Sequence, residues 1–141
     1  MILLDTNVVS EPMRERPDRH VQDWLDAQAI ETLFLSTISL SELLLGIESL
    51  PVGKRREALA TALGDRIVSL FDSRIIPFDV ASAEAYAKVV TRARRQGYAI
   101  SVADGQIAAI AAARGLSIAS RDEAPFQAAG LTVINPWNAE P

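Results

Sequence analysis

Short runs of consecutive apolar residues recur along the chain, each bounded by polar residues, glycine or proline. Continuous apolar runs of this length are typical of strands that are buried on both faces, as in a parallel sheet. We predict five strands from them, over residues 1–4, 33–36, 74–78, 116–120 and 132–134. The first run ends at an acid, Asp5, and the fourth is followed by the charged pair Arg121 and Asp122.

Between these strands, apolar residues recur at intervals of three and four, which is the spacing of one helix face. Asp79 is a typical helix start, and Gly97 and Gly115 are typical helix ends. We predict a short helix from residue 5 toward Pro12 and longer helices over residues 18–29, 40–50, 53–71, 79–96 and 101–114. Alternating strands and helices indicate βαβ units, so we expect a three-layer α/β/α sandwich with a five-stranded, mostly parallel sheet.

Composition narrows the class of protein. The 141 residues are 49% hydrophobic and 23% charged, which is typical of a globular chain, and we expect one domain over residues 1–141. The absence of cysteine excludes disulfides, thiolate zinc sites and a cysteine nucleophile. The single histidine, His20, lies in a charged segment, which argues against a Ser-His-Asp triad. No apolar run resembles a signal peptide or spans a bilayer, so we expect a cytoplasmic protein.

The charge balance is acidic, with 18 acidic against 14 basic residues and a formal net charge of −4. This balance argues against non-specific binding to phosphate backbones. It leaves open a nucleic-acid substrate that is held through a metal ion. Only Lys54 and Lys88 among the basic residues are lysines, so the others carry guanidinium groups suited to phosphate or carboxylate.

Four acids stand at the ends of predicted elements: Asp5, Glu42, Asp104 and Asp122. Each has a structural explanation when taken singly. Asp5 suits a helix cap, and Asp122 suits an Asx turn at a strand exit. Glu42 and Asp104 each lie three residues after a serine, Ser39 and Ser101, which is the spacing of a capping box.

Taken together, the four acids favour a metal site. Asp5 and Asp122 each follow a strand, and Glu42 and Asp104 lie in first turns of predicted helices, so all four are expected at one edge of the sheet. Carboxylates gathered there would repel one another without a cation. Oxygen ligands favour a hard ion, Mg²⁺ or Mn²⁺, whose bound water can attack a phosphodiester.

Several short segments also carry a family resemblance. They are residues 4–7, residues 39–43 with Gly46 a turn later, residues 104–109, residues 120–122 and the tail Asn-Pro-Trp at 135–137. In this order, and over essentially the whole chain, the sequence resembles PIN-domain ribonucleases of the VapC toxin type, nearest their FitB-like branch.

The resemblance implies a PIN fold and a Mg²⁺- or Mn²⁺-dependent endoribonuclease. It further implies that Asp5 and Asp104 bind the metal directly. Glu42 and Asp122 would bind it through water, or would position and deprotonate the attacking water. Supporting roles fall to Thr6, Asn7 and Ser120, of which Asn7 and Ser120 match small polar positions that orient the first acid. The expected partners are RNA, a second toxin copy, and a small antitoxin whose tail fills the cleft and which supplies DNA binding.

Other functions compete with this interpretation. An aspartate-nucleophile phosphatase would use Asp5, but it needs a second acid two residues later, where this chain has Asn7. A receiver-like signalling module needs a late lysine, and none follows Lys88. A catalytically inactive PIN-fold interaction protein stays open. Two local questions stay open as well. The arginines at 92, 94 and 95 suit either RNA guidance or a solvated helix end, and Gly105 suits either close backbone approach or relaxed helix packing.

Overall fold

A five-stranded sheet lies at the centre of the protein. The computed structural model describes residues 1–140 of the chain. The strands are β1 (Ile2–Leu4), β2 (Leu33–Ser36), β3 (Ile75–Ile76), β4 (Ser117–Ala119) and β5 (Val133–Ile134). Their order in the sheet is β3-β2-β1-β4-β5, and all four pairings are parallel. The predicted α/β sandwich with a parallel sheet is thereby confirmed, and β1 is its central strand.

Within residues 1–140, eight α-helices connect and cover the strands. They are α1 (Thr6–Ser10), α2 (Arg19–Ala27), α3 (Thr37–Glu48), α4 (Lys54–Ala62), α5 (Ser69–Phe71), α6 (Val80–Arg95), α7 (Val102–Arg114) and α8 (Glu123–Ala128). Side chains of Asp18, Asp79 and Ser101 cap α2, α6 and α7 as the sequence predicts. Within residues 1–140, no helix is both long and apolar enough to cross a bilayer.

The core lies on both faces of the sheet, since successive residues of β1 point to opposite sides. Leu3, fully buried, packs in a cluster with Val90 of α6 and Ile107 of α7. Leu4 belongs to the other cluster, with Val8 of α1 and residues of the α2–α5 layer. A central strand buried on both faces explains why its sequence is a continuous apolar run rather than an alternating one.

The largest differences from the prediction concern three helical regions. Helix α3 begins at Thr37 rather than at residue 40, because Ser36 is its cap and accepts a hydrogen bond from the amide of Ser39. The predicted helix 53–71 is helical over α4 and α5, but residues Leu63–Val68 between them form a wider π-helical turn. Helix α8 was not predicted; it is one short segment with Pro125 in its first turn.

The strand register sets the position of the functional edge. Leu4 of β1 pairs with Leu35 of β2 and with Ala119 of β4. The residues that follow these three are Asp5, Ser36 and Ser120, respectively, and all three are buried. The carboxyl ends of the three central strands thus bring one acid and two hydroxyls to the same level.

Candidate active site

All four predicted acids line one open cleft at the carboxyl edge of the sheet. The cleft encloses about 350 Å³ and is lined by Asp5, Thr6, Asn7, Ser10, Glu42, Asp104 and Asp122. Strand β1 delivers Asp5, α3 and α7 deliver Glu42 and Asp104, and the turn after β4 delivers Asp122. The expectation that these acids meet at one edge of the sheet agrees with this arrangement.

Asp5 is the most buried of the four, with 6% of its surface exposed. Its Oδ1 accepts a hydrogen bond from the Thr6 amide at 2.8 Å, so Asp5 does cap α1. Its Oδ2 accepts one from the Ser120 hydroxyl at 2.7 Å. Both carboxylate oxygens are therefore fixed in direction, and the structural and the functional interpretations of this residue are compatible.

Burial raises the pKa of Asp5 from 3.8 to about 6. The hydrogen bonds from Ser120 and Thr6 favour the charged carboxylate and act in the opposite direction, but desolvation is stronger. The negative charges of Asp104 and Glu42 raise the pKa further. A cation in the cleft would reverse this balance, because its charge favours the ionised carboxylate.

Ser120 connects three parts of the site through one hydroxyl. While its Oγ donates to Asp5, it accepts from the amide of Asp122 at 3.1 Å and from Nδ2 of Asn7 at 3.4 Å. The other amide atom of Asn7, Oδ1, accepts from the backbone N–H of Arg121 at 3.3 Å. Ser120 thus contacts the first acid directly, and Asn7 acts one contact further away.

Glu42 lies on the second turn of α3 and is exposed to the cleft. The predicted capping box with Ser39 is wrong, because Ser36 caps this helix and Ser39 lies inside it. Thr6 Oγ1 instead lies 2.9 Å from Glu42 Oε1 and 2.9 Å from Ser39 Oγ. Since Thr6 has one hydroxyl proton and an ionised Glu42 only accepts, Ser39 donates to Thr6 and Thr6 donates to Glu42.

Asp104 occupies the third position of α7, and its amide donates to the capping Ser101 hydroxyl at 3.1 Å. Ser101 therefore caps this helix, and Asp104 in its first turn also lines the cleft. Partial burial raises the pKa of Asp104 and the hydrogen bond with Ser101 opposes that rise. The neighbouring charges of Asp122 and Glu42 raise it as well, so the acids influence one another across the cleft.

Asp122 is exposed and stands just before α8. Its carboxylate makes no capping hydrogen bond to that helix, so the Asx-turn explanation of this residue does not hold. Its position is fixed instead through its backbone, whose N–H donates to Ser120 at 3.1 Å. The carboxylate is left free to face ligands in the cleft.

The donor set fits a hard divalent cation that keeps several water ligands. Within residues 1–140, no three Asp, Glu, His or Cys side chains lie close enough to enclose a metal ion. Mg²⁺ typically takes only one or two protein carboxylates and fills its other positions with water and substrate oxygens. Four acids around an open cleft, two with raised pKa values, match such a site better than a closed metal cage.

A larger depression, of about 580 Å³, lies elsewhere, beside α2 and α5. Its lining is mostly apolar and includes Leu25, Ile30 and Phe71. Its charged members are Asp26, Asp65 and Arg66, none of which lines the acidic cleft. It holds two acids against the four of the smaller cleft, so the smaller cleft is the candidate active site.

Two contacts of the site escape sequence patterns. The Thr6 hydroxyl is 36 residues from Glu42 and 33 from Ser39, and no local spacing signals either pairing. Of the three arginines near the end of α6, for which RNA guidance and a solvated helix end were both open, Arg92 lies away from the cleft. Arg92 packs against Gly130, just before the amino end of β5, whereas the cleft lies at the carboxyl ends of the strands.

A PIN domain model matches residues 2–131, and the chain belongs to the PIN domain family. The chain is 52% identical to the plasmid stability protein StbB of Pseudomonas syringae pv. tomato, over 99% of this chain and 100% of that protein. It is 47% identical to VapC ribonuclease Y4jK of Sinorhizobium fredii, over 97% of this chain and 98% of that protein. It is 45% identical to toxin FitB of Neisseria gonorrhoeae, over 98% and 99%. The resemblance predicted from the sequence is confirmed.

Solved structures show the same fold. The FitAcB structure from Neisseria gonorrhoeae contains a chain that superposes with a TM-score of 0.94 at 45% identity, covering 99% of this chain and 100% of that one. A chain of FitAB bound to an IR36 DNA fragment superposes with a TM-score of 0.95 at 43% identity, covering 99% and 98%. The fold is therefore shared over 99% of this chain.

Proposed function

We propose that this protein is a Mg²⁺- or Mn²⁺-dependent endoribonuclease and the toxin of a type II toxin–antitoxin pair. The observation that carries the proposal is the convergence of Asp5, Glu42, Asp104 and Asp122 on one cleft. The similarity to a VapC ribonuclease and to toxin FitB supports the reaction class. Residues 1–141 act as one catalytic domain in this proposal.

In this proposal, Asp5 and Asp104 would hold the cation. When bound, the cation supplies an activated water and offsets the charge that develops on the phosphate. Asp5 suits direct ligation because both of its oxygens are oriented by donors, Thr6 and Ser120, before any ligand arrives. Asp104 is fixed by the capped start of α7, a rigid element that keeps its carboxylate at the cleft.

Glu42 orients the attacking water in this proposal. Its Oε1 accepts the Thr6 hydroxyl, which leaves Oε2 to accept a proton from water in the cleft. Asp122 faces the same cleft without a hydrogen bond to its own helix, so it is available to hold a second water. The roles of Thr6, Ser120 and Asn7 are to fix these carboxylates, directly for the first two and through Ser120 for Asn7.

The partners follow from the relatives. FitAB, whose FitB chain this protein resembles, has been solved with a DNA fragment bound. We expect a small antitoxin that blocks the acidic cleft and carries the DNA-binding surface, which agrees with the net charge of −4 of this chain. We also expect a homodimer and a cytoplasmic location.

A PIN-fold protein without catalysis is the second candidate. Four acids facing one cleft argue against it, since unpaired carboxylates are costly to keep close together without a ligand. A phosphatase with Asp5 as nucleophile is disfavoured more strongly. Both amide atoms of Asn7 are engaged in hydrogen bonds, and an amide cannot act as the required acid and base.

Cleavage of RNA by the purified, antitoxin-free protein tests the proposal. We expect single-stranded and structured RNAs to be cut with Mg²⁺ or Mn²⁺ and to stay intact with EDTA. Asp104→Asn removes charge with little change of shape, so it should abolish cleavage and toxicity on expression. Asp26→Asn, an exposed acid outside the cleft, is the matched control and should retain both.

Three results would contradict the proposal. Cleavage that persists in EDTA would exclude the metal mechanism. Full activity of Asp5→Ala or Asp104→Asn would show that these acids are not required for cleavage. Failure of the wild-type protein to cut any RNA, although it is folded and binds Mn²⁺, would favour the inactive interaction protein.

A further inference from the structure

The turn after β4 places a cationic side chain beside the acidic cleft. Arg121 stands between Ser120, which holds Asp5, and Asp122, which lines the cleft. Its backbone N–H donates to Asn7, another cleft residue. The side chain is exposed, and among the described residues 1–140 it makes no ion pair with a carboxylate. Its hydrogen-bond donors are therefore available to a ligand.

The indole of Trp137 supports this guanidinium. The Arg121 Cζ lies 5.1 Å from the centroid of the Trp137 ring, within the range of a cation–π contact. Trp137 is half-buried against the apolar cluster of the α2–α5 layer. Stacking restricts the arginine side chain while its N–H groups stay exposed. The side chain therefore loses less conformational entropy when it binds an anion.

The tail segment 135–137 braces the turn that carries Arg121. Asn135 Nδ2 donates to Glu123 Oε2 at 3.1 Å and lies 3.5 Å from the carbonyl oxygen of Arg121. Its Oδ1 accepts the amide of Trp137 at 3.0 Å, and Pro136 between them is fully buried. The Asn-Pro-Trp segment therefore holds the Trp137 ring against the Arg121 guanidinium.

The negative charge of the cleft gives the Arg121 guanidinium a function in RNA binding. One divalent cation neutralises only half of the charge of four carboxylates, so an incoming RNA strand would still meet a negative surface. A planar guanidinium is the side chain best suited to a phosphate, which it can bind with two parallel hydrogen bonds. Resting on the proposed ribonuclease function, we infer that Arg121, stacked on Trp137, binds a phosphate of the RNA strand beside the cleavage site.

The test is RNA binding and cleavage by Arg121→Ala. We expect the KM for RNA to rise about tenfold, as for a lost charge-assisted hydrogen bond, with a much smaller change in kcat. In EDTA, where the strand stays intact, the affinity for a single-stranded RNA should fall, and its dependence on salt should decrease by about 0.7 in log–log slope. Arg121→Lys should retain the salt slope but recover only part of the affinity.

Arg55→Ala is the matched control, since it removes the same charge from an exposed position on α4. If Arg55→Ala and Arg121→Ala weaken RNA binding equally, only net charge matters and the inference fails. If Arg121→Ala keeps its RNA affinity but loses affinity for an antitoxin, the residue contacts protein and the inference also fails. Either failure leaves wild-type cleavage untouched, so it is distinguishable from a failure of the proposed function.

A double-mutant cycle tests the part played by the indole. Trp137→Leu should weaken RNA binding by about three- to fivefold, and Trp137→Phe by less, because a smaller aromatic ring is retained. If Trp137 acts through Arg121, the double variant should bind no more weakly than Arg121→Ala alone. Additive losses would show that the indole contacts RNA independently and would overturn the proposed support of Arg121 by Trp137.

Discussion

The Ser120 hydroxyl donates a 2.7 Å hydrogen bond to Oδ2 of Asp5, and the two residues are 115 positions apart in the sequence. Both are buried, Ser120 completely and Asp5 to all but 6%. Parallel pairing of β1 with β4 places them side by side, because Leu4 is in register with Ala119. The acid at the centre of the site is therefore oriented by the neighbouring strand rather than by its own segment alone.

Ser120→Ala should weaken cation binding. Without the hydroxyl, the pKa of Asp5 should rise further, since this hydrogen bond lowers it. Loss of a group that orients a metal ligand typically costs about 10–100-fold in metal affinity or activity. We expect a Mn²⁺ titration to show weaker binding, and the acid limb of the activity profile to move to higher pH. Ser41→Ala, which removes an exposed hydroxyl from α3, is the control; equal effects would argue against the role of Ser120.

Asp5 should make the cation-free protein less stable as the pH rises. Between 3.8 and about 6, the folded state holds a proton on Asp5 that the unfolded chain has lost. The stabilising contribution is therefore fully present below the unfolded pKa and is lost as the pH rises through about 6. At about 1.4 kcal/mol per unit of pKa difference, ionised Asp5 costs the folded state about 3 kcal/mol.

Asp5→Asn isolates this effect, because the amide does not titrate. In EDTA near neutral pH, we expect urea unfolding to show the variant more stable than wild type, by up to about 3 kcal/mol. The advantage should disappear near pH 4, and Mn²⁺ should stabilise only the wild type. A difference between the two proteins that stays constant across this pH range would contradict the raised pKa.

Thr6→Val should reduce turnover by removing the hydroxyl that lies between Ser39 and Glu42. We expect kcat to fall about 10-fold or more with little change in KM, as for the loss of an orienting partner. Stability should fall by about 1–3 kcal/mol, because the buried Ser39 hydroxyl loses its hydrogen-bond partner. Thr6→Ser keeps the hydroxyl and should retain most activity; if it is as slow as Thr6→Val, the methyl group matters instead.

Gly105→Ala should destabilise the protein although alanine is the better helix former. A Cβ at Gly105 would lie 2.9 Å from Tyr86 Cε2 and 3.0 Å from Val90 Cγ2, so these side chains, or the helices α6 and α7 that carry the contact, would have to shift. We expect a loss of about 1–3 kcal/mol from overpacking. Gly46→Ala is the control, because Gly46 also lies inside a helix, α3, but a Cβ there would meet open space, and the variant should gain about 0.5–1 kcal/mol. Chemical denaturation of both variants measures the difference; a stabilised Gly105→Ala would show that the helices give way freely.

This glycine also illustrates the limit of local patterns. The sequence leaves two explanations for Gly105, close backbone approach or relaxed helix packing. Only the packed helices show that side chains of Tyr86 and Val90 lie against its backbone. The helix α8 was missed for a related reason, since six residues with an internal proline carry too short a pattern to be distinguished from a turn.

The sequence by itself determined the layered α/β fold and the edge of the sheet at which the acids gather. Apolar runs and helical periodicity are local, and parallel strands joined by helices bring their carboxyl ends to one edge. The tertiary structure decided which groups hold each acid: Ser120 for Asp5, and Thr6 rather than a capping serine for Glu42. It also placed Arg121 on Trp137 beside the cleft. Such pairings depend on strand register and side-chain packing, which are fixed only when segments distant in sequence come together.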